Sequence, residues 1–249
     1  MTTEAPFKSI RTSRMSLEIV KQIQESIFRG DFVAGQRLPI ERELVQTFGV
    51  SKVTVREALR ILETYGLIEI RPGAAGGAFV KEMTSHPVSR AAYNMLQLEG
   101  FRSAEVYAAR LLFEPPVTEL ACRSATEDDL RELEESVRTT KDLVAENQKT
   151  IDESRQFHLM IARATHNPVI QLMVGSVLDL VKLCGAHMPS TPEMSRMILQ
   201  EHEAIVEAMR QRDGARAQAL MAVHLSDLAR EFALLEEKRM ASATDTYCA

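Results

Sequence analysis

The chain has 249 residues, enough for one large domain or two smaller ones, and 45% of them are hydrophobic, which predicts a packed core and excludes a disordered protein. The formal net charge is −5 and is unevenly distributed. Residues 1–83 carry twelve basic and ten acidic side chains, whereas residues 84–249 carry eighteen basic and twenty-five acidic side chains. This asymmetry favours a part that faces nucleic acid, followed by a part with another task.

The three cysteines, at positions 122, 184 and 248, lie far apart and form no CxxC pair. This pattern is typical of a reducing compartment rather than of a disulfide framework. The N-terminal segment has no apolar run typical of a signal peptide, and no segment of the chain approaches the roughly 20 apolar residues that span a bilayer. We therefore expect a soluble cytoplasmic protein with no membrane partner.

Residues 1–83 predict three short helices followed by a β-hairpin. Ser16 and Ser51 are of the residue types that cap helix N-termini, and Gly30 and Gly66 are placed to end helices. The predicted elements, in chain order, are a helix from Ser16 to Gly30, a turn-rich link over 31–38, a helix over 41–48, a helix from Ser51 to Gly66, and strands over 67–71 and 78–80.

The third predicted helix has two chemically different faces. Basic side chains recur on it at spacing four and apolar side chains recur at helical spacing beside them, namely Lys52, Arg56 and Arg60 against Val55, Ala58, Leu59 and Leu62. A basic stripe alone is equally typical of a solvated charged face. The Gly49 turn, the Ser51 cap and the downstream hairpin favour instead a recognition helix whose first turn enters the major groove of DNA.

Residues 84–249 contain helical patterns and no strand pattern. The helices are separated by turn and capping signals at Thr126, Asn167-Pro168, residues 189–192 and Asp213-Gly214. Seven helices are predicted, over 88–98, 102–123, 127–146, 150–166, 169–186, 193–211 and 214–238. The predicted fold class is mostly α, with a winged helix-turn-helix domain over 1–83 and an all-α antiparallel bundle over 84–249.

Three histidines of the second half are placed to meet at the middle of this bundle. His202 and His224 each lie eleven residues from the Asp213 turn, so an antiparallel helix pair sets both about 16 Å from that turn. His158 lies nine residues before the turn at Asn167. Three converging imidazoles suit Zn²⁺ or Ni²⁺ with an open coordination position. The alternative is a polar pocket in which the histidines hydrogen-bond an effector directly.

Arg110 is a further candidate for ligand binding, because the side chains around it on its predicted helix are mostly apolar. Its guanidinium is suited to bind a carboxylate through two parallel hydrogen bonds. An ion pair with Glu114, one helical turn further on, is the alternative. The residues alone leave both open.

The segment LPIERELVQTFGVSKVTVREALRILETYGLIEIRPG closely resembles the winged helix-turn-helix of the GntR superfamily of bacterial transcription regulators. The resemblance implies six DNA-contacting residues, which are Arg42, Ser51, Lys52, Thr54, Arg56 and Gly73. The chain departs from the family pattern where Ile40 replaces a capping Ser, so the second helix loses a side-chain cap. It departs again where Lys52 replaces a common Arg and Val53 a common Thr.

The helical half resembles the FCD-type ligand-binding domain of the FadR subfamily, through the pieces Arg110–Glu114, Phe157-His158, Glu201-His202 and Asp213 to His224. The resemblance implies an effector pocket with a metal ion at its floor, held by His158, His202 and His224. It implies effector contacts from Arg110, Ser154 and the same three histidines. Metal-binding relatives usually place an Asp where this chain has Ser154.

We therefore expect a homodimeric DNA-binding transcription regulator, repressor or activator, and not an enzyme. Its partners are expected to be a palindromic double-stranded operator and a small carboxylate metabolite, with Zn²⁺ or Ni²⁺ as the candidate cofactor. One alternative is a metal-dependent enzyme with an appended DNA-binding domain, but the sequence has no HExxH and no carboxylate at the facing position, which Ser154 occupies. A structural adaptor is the remaining alternative.

Overall fold

A computed structural model of the chain describes residues 14–73, 75–82, 84–101, 103–183 and 191–245. Contacts divide the chain into two compact units, Met1–Pro87 and Val88–Ala249. The boundary predicted from the sequence, between residues 83 and 84, falls four residues before this division. Among the described residues, no helix combines the length and the apolar character needed to cross a membrane.

The described part of the first unit contains three helices and a two-stranded antiparallel sheet, namely α1 (Arg14–Arg29), α2 (Glu41–Phe48), α3 (Lys52–Thr64), β1 (Ile68–Arg71) and β2 (Gly77–Val80). The strands pair in register from Ile68 with Val80 to Arg71 with Gly77. The predicted order of helix, helix, turn, helix and hairpin is confirmed. It is the order of a winged helix-turn-helix.

The core of the first unit fixes the orientation of α3. Val55, Leu59 and Leu62 are buried on one side of this helix, against α1, α2 and the hairpin. Burial of each such side chain stabilises the fold by roughly 1.5–3 kcal/mol, so rotation of α3 about its axis is strongly opposed. The opposite side of the helix is therefore held outward.

Two details of the first unit differ from the sequence prediction. Ser16 is not an N-cap, because it is the third residue of Arg14–Arg29 and is almost fully buried. The amides that an N-cap at this position would bind already have carbonyl partners one helical turn upstream. The link over 31–38 is also more than a turn, since the amides of Gly35 and Leu38 donate to the carbonyls of Val80 and Ala78 at 2.8 Å.

From residue 84 onward, the described residues form seven helices, namely α4 (His86–Glu99), α5 (Ser103–Ser124), α6 (Glu127–Ala145), α7 (Ile151–Arg163), α8 (Pro168–Leu183), α9 (Pro192–Arg210) and α10 (Gly214–Asp245). Each corresponds to one predicted helix. The largest difference is at the end of α10, which continues seven residues beyond the predicted end at 238. The predicted start of α5 at 102 and the predicted end of α8 at 186 lie outside the described residues.

α5 is the central helix of the second unit. It packs along α10 and also contacts α7, α8 and α9. Pro115 and Pro116 lie in its interior, and because proline has no N–H, the carbonyls of Leu111 and Leu112 lack the donors that a regular helix supplies. The helix is continuous nonetheless, since tertiary packing on its inner face holds it.

The turn after α3 generates a stability prediction. Gly66 has a φ of +75°, and a Cβ on it would lie 2.3 Å from Cγ of Pro87. We predict that Gly66→Ala lowers the free energy of unfolding by about 2–4 kcal/mol, from left-handed strain together with this overlap. Denaturant unfolding followed by circular dichroism measures the change.

Gly30→Ala is the matched control, because Gly30 also has a positive φ, +84°, but has nothing within 4 Å of the added Cβ. Its loss should stay near the backbone penalty of about 1–2 kcal/mol. Equal losses in the two variants would contradict the role assigned to Pro87.

Candidate functional site

The basic side chains of α3 lie on the side opposite its core stripe. The side chains of Lys52 and Arg56 are 61% and 57% exposed, and Arg60 is exposed as well. The buried residues Val55 and Leu62 face the core. The predicted division of this helix into a cationic face and a core face is confirmed.

Glu41, in the first turn of α2, holds two of these cations. Its carboxylate accepts from Nε of Arg56 at 3.0 and 3.1 Å, and Nζ of Lys52 lies 3.6 Å from it. The pairs are largely exposed, so each contributes little to stability but limits the positions of two long side chains. Glu41 is not among the residues that the family resemblance implied, although it directly precedes Arg42, which is.

Two hydroxyl-bearing residues hydrogen-bond to each other at the first turn of α3. Oγ of Ser51 accepts from the amide of Thr54 at 3.2 Å, so Ser51 is the N-cap of α3, as predicted. The same oxygen lies 2.8 Å from Oγ1 of Thr54. Thr54 is only 9% exposed, so its hydroxyl lies inside this turn. Val53, by contrast, is 76% exposed and lies beside Lys52 on the outer surface.

The other predicted DNA-contacting residues lie on the neighbouring elements. Arg42 is exposed on α2, and Gly73 is exposed in the turn of the hairpin at a φ of +99°. Arg71 at the end of β1 stacks its guanidinium 4.2 Å from the ring centroid of Phe79, which orients a further cation on the hairpin. As expected for a missing cap, Ile40 supplies no side-chain bond to α2, but Glu43 accepts from its amide at 3.0 Å.

The three histidines of the second unit meet in its core, as predicted. Nε2 of His224 lies 3.3 Å from Nε2 of His158 and 3.4 Å from Nε2 of His202. Their candidate ligand nitrogens all lie within 4.8 Å of one another, and all three residues are buried. The ring of Phe157 stacks on His202 at a centroid distance of 3.8 Å and forms an apolar wall of the cluster.

Two carboxylates lie against the far nitrogens of these imidazoles. Oε2 of Glu201 is 2.7 Å from Nδ1 of His224, and Oε2 of Glu114 is 2.5 Å from Nδ1 of His158. Neither carboxylate was among the site residues predicted from the sequence. The reason is tertiary, because the two carboxylates come from α9 and α5, whereas the neighbouring acids of His158 on α7, Asp152 and Glu153, point elsewhere on that helix.

Arg110 is buried beside the cluster and makes the ion pair that was one of the two roles left open by the sequence. Its Nε donates to Oε1 of Glu114 at 2.6 Å, which is the predicted ion pair. Its Nη2 also lies 3.2 Å from Nε2 of His158. A buried guanidinium therefore borders the histidine cluster, and its charge attracts an anion that reaches it.

Burial controls the protonation of the cluster. It lowers the pKa of His158 to about 4, against the opposing charge of Glu114, and it lowers the pKa of His202 well below its ordinary value. Burial by itself raises the pKa of Glu114, but the charge of Arg110 outweighs it and holds that pKa far below its ordinary range. At neutral pH both imidazoles are therefore neutral and the carboxylate is ionised.

These residues fit a divalent transition-metal ion. Nitrogens bound at about 2.0–2.1 Å to one tetrahedral ion lie roughly 3.3–3.4 Å apart, which is the spacing of the two Nε2 pairs. The carboxylate of Glu201 at Nδ1 of His224 favours the tautomer that leaves Nε2 of His224 unprotonated, and a neutral imidazole is the form that binds metal. Ser154, which replaces the usual Asp of metal-binding relatives, lies one turn before His158 and is partly exposed.

Comparisons with known families match both halves of the chain. The family described as bacterial regulatory proteins, gntR family, matches residues 15–80, and the FCD domain matches residues 105–227. Together the two matches cover about three-quarters of the chain.

Individual relatives match over most of their length. The HTH-type transcriptional repressor NanR of Cronobacter sakazakii is 27% identical over 248 residues, which cover 93% of this chain and 90% of the relative. NanR of Salmonella schwarzengrund is 26% identical, and the match covers 93% of this chain and 89% of the relative. The solved structure of Streptococcus agalactiae GntR has a TM-score of 0.67 at 23% identity and covers 86% of this chain and 99% of its own. The predicted fold class is confirmed.

The neutral imidazoles generate a pH prediction. The pKa of His158 is about 4 in the folded chain and 6.5 ordinarily, so between these values the unfolded chain binds more protons. Stability must therefore fall as pH falls from about 6.5 to 4, by about 3 kcal/mol from this residue. Denaturant unfolding of EDTA-treated protein at several pH values measures the change.

His158→Gln is the informative variant, because glutamine hydrogen-bonds but does not titrate in this range. It should lose less stability than the wild type between pH 6.5 and 4.5. Identical pH profiles for wild type and His158→Gln would show that His158 is not held neutral by burial.

Proposed function

Because the chain belongs to the GntR family of bacterial regulatory proteins and carries an FCD domain, it is a DNA-binding transcription regulator, and we propose that it is a homodimeric repressor controlled by a small carboxylate effector. The observation that carries the effector assignment is the meeting of Arg110 with the three buried histidines. We further propose that these histidines hold Zn²⁺ or Ni²⁺.

The proposed DNA-reading surface is the outer side of α3 with its neighbours. Lys52 and Arg56 are exposed there and held by Glu41, and a guanidinium in the major groove donates to guanine O6 and N7 or to phosphate. Arg42 and Gly73 are proposed to contact DNA from α2 and the hairpin turn. Ser51 and Thr54 are proposed to act at the helix N-terminus, where their mutual hydrogen bond fixes the turn that approaches the phosphates.

The proposed effector site lies at the histidine cluster. The guanidinium of Arg110 provides one of its two Nη groups to an incoming carboxylate while Nε keeps its bond to Glu114. A metal ion bound by His158, His202 and His224 would act as a Lewis acid toward a carboxylate oxygen of the effector. Ser154 is proposed to hydrogen-bond the effector or a water in the place where relatives have an Asp ligand.

A repressor role and a two-fold assembly are proposed on separate grounds. The relatives named above are repressors by name, and this chain resembles them over nearly its whole length. One short recognition helix reads only a few base pairs, so two copies on a palindromic operator supply the needed affinity. A regulator of this kind acts where bacterial DNA lies, so we infer a cytoplasmic location.

The alternative function, a metal-dependent enzyme, has little in its favour. Glu114 and Glu201 lie on the Nδ1 side of the imidazoles, and Glu114 is further held by Arg110, so neither is placed as a free general base. We infer that the cluster binds ligands without transforming them.

The DNA-reading assignment predicts a large effect at Arg56. Arg56→Ala should weaken operator binding at least about 100-fold, and the salt dependence of binding should decrease by about one phosphate contact. Fold and thermal stability should change little, since the side chain is exposed. Gel-shift titration at two salt concentrations, on an operator selected from random duplexes, measures both quantities.

Arg131→Ala is the matched control, because Arg131 is an exposed cation on α6 with an ion pair to Asp128. It should bind the operator like the wild type. Unchanged operator affinity in Arg56→Ala would refute the proposed reading surface.

The metal assignment predicts that His202→Ala and His224→Ala each lower bound Zn²⁺ or Ni²⁺ well below one ion per chain, because two imidazoles bind such ions far more weakly than three. Elemental analysis after dialysis against each ion measures the content. His86→Ala should retain the metal of the wild type. Equal metal in the wild type and both cluster variants would favour the direct-pocket alternative.

The effector assignment is tested by Arg110→Lys, which keeps the charge beside Glu114 but removes the planar fork. Thermal-shift screening of small organic acids, with and without Zn²⁺, should identify acids that raise the Tm of the wild type. The variant should lose most of that response while retaining metal. A full response in Arg110→Lys would remove Arg110 from the proposed effector site.

A further inference from the structure

One carboxylate joins Arg110 and His158 in a closed ring of three buried side chains. Oε1 of Glu114 accepts from Nε of Arg110 at 2.6 Å, and Oε2 of Glu114 lies 2.5 Å from Nδ1 of His158. Nη2 of Arg110 completes the ring at 3.2 Å from Nε2 of His158. Each of the three residues is at most 4% exposed, so bulk water does not weaken these contacts.

The hydrogen bond between Arg110 and His158 has only one possible direction. A guanidinium has N–H donors and no acceptor, so Nε2 of His158 accepts the bond with its lone pair. A neutral imidazole that accepts at Nε2 carries its proton on Nδ1, which is the nitrogen that faces Glu114. Because the donor is charged, the bond is stronger than one between neutral groups.

The lone pair that Arg110 uses is the one that a metal ion needs. Nε2 of His158 lies 3.3 Å from Nε2 of His224, so it is the nitrogen that faces the cluster. An imidazole nitrogen has one lone pair, and it serves either the N–H of Arg110 or an ion. The guanidinium also brings its positive charge to within 3.2 Å of this nitrogen.

We propose that Arg110 blocks metal binding at His158 and that a carboxylate removes the block. Withdrawal of Nη2 from His158 without a new partner leaves a charged donor buried and unpaired, which is costly. A carboxylate of the effector is a suitable new partner, because it accepts from the guanidinium that leaves His158. Carboxylate and metal therefore each strengthen the binding of the other. The proposal rests on the metal and effector of the proposed function and adds the group that couples them.

Removal of the buried pair as a neutral unit tests the block. The double variant Arg110→Met/Glu114→Gln keeps the net charge of the site and frees Nε2 of His158. It should bind Co²⁺ at least about tenfold more tightly than the wild type, since a hydrogen bond to a charged group no longer has to be broken. Titration of EDTA-treated and dialysed protein, followed by the visible absorption of histidine-bound Co²⁺, measures both affinities. Circular dichroism verifies that the variant is folded.

Arg123→Met/Glu119→Gln is the matched control, because Nη1 of Arg123 pairs with Oε1 of Glu119 at 2.7 Å on the same helix and at the same spacing. This control should bind Co²⁺ like the wild type. Equal affinity in the wild type and the Arg110 double variant would overturn the block and leave the metal site in place. Absence of Co²⁺ binding in every protein would overturn the metal site of the proposed function, and the block with it.

The dependence on carboxylate tests the coupling. Replacing chloride by about 100 mM acetate at equal ionic strength should tighten Co²⁺ binding by the wild type about threefold or more, because acetate accepts from Arg110. The change in the Arg110 double variant should be less than about twofold. Equal changes in the two proteins would show that carboxylates act without Arg110 and would overturn the coupling.

A measurement on the wild type tests the block without any variant. In EDTA-treated protein at neutral pH, ¹⁵N NMR of the imidazole rings should place the proton of His158 on Nδ1 and show Nε2 as a hydrogen-bond acceptor. A proton on Nε2 of His158 would overturn the block, because Arg110 has no acceptor for it.

Discussion

Removal of ionisable groups from water is the constraint that shapes the second unit. A buried ion is tolerated only where a partner of opposite charge or a hydrogen bond replaces the lost hydration. Arg110 and Glu114 meet this requirement by pairing at 2.6 Å, and the imidazoles of His158 and His202 meet it by staying neutral. The cluster that results brings imidazole nitrogens together beside the buried Arg110–Glu114 pair. For the proposed metal and effector, the charge of Arg110 opposes a cation among these nitrogens, so an anion beside Arg110 would favour the cation, and the cation would favour the anion.

The cationic face of the first unit keeps its charged groups hydrated, whereas the second unit buries them. Lys52, Arg56 and Glu41 remain in water, where an ion pair contributes little to stability and is screened by salt. Replacing the Glu41 carboxylate by a phosphate or a base edge as the partner of these cations therefore costs little free energy. Replacing a partner within the buried cluster costs much more. Weak exposed pairs suit a surface that must bind and release DNA, and strong buried pairs suit a site that must respond to one ligand.

The sequence predicted those features that depend on local pattern and on helix length. The helices of both units, the Thr126 and Ser51 caps and the convergence of three histidines follow from periodicity and from equal distances to turns. It missed features that join elements far apart in the chain. Glu114 and Glu201 reach the imidazoles only because α5 and α9 pack beside them, and the link over 31–38 bonds to β2 without any strand pattern of its own. Ser16 was wrongly predicted to be an N-cap, because a residue type that favours capping also fits a buried position inside a helix.

α5 carries the residues that border the histidine cluster. Its inner face places Arg110 and Glu114 against the histidines, and its outer face exposes Leu112. Pro115 and Pro116 remove two hydrogen bonds of the helix between these groups, so bending α5 at this point meets less resistance than in a regular helix. A ligand shifts such an equilibrium only by its difference in affinity for the two shapes. An effector that binds Arg110 better in one curvature of α5 would therefore favour that curvature.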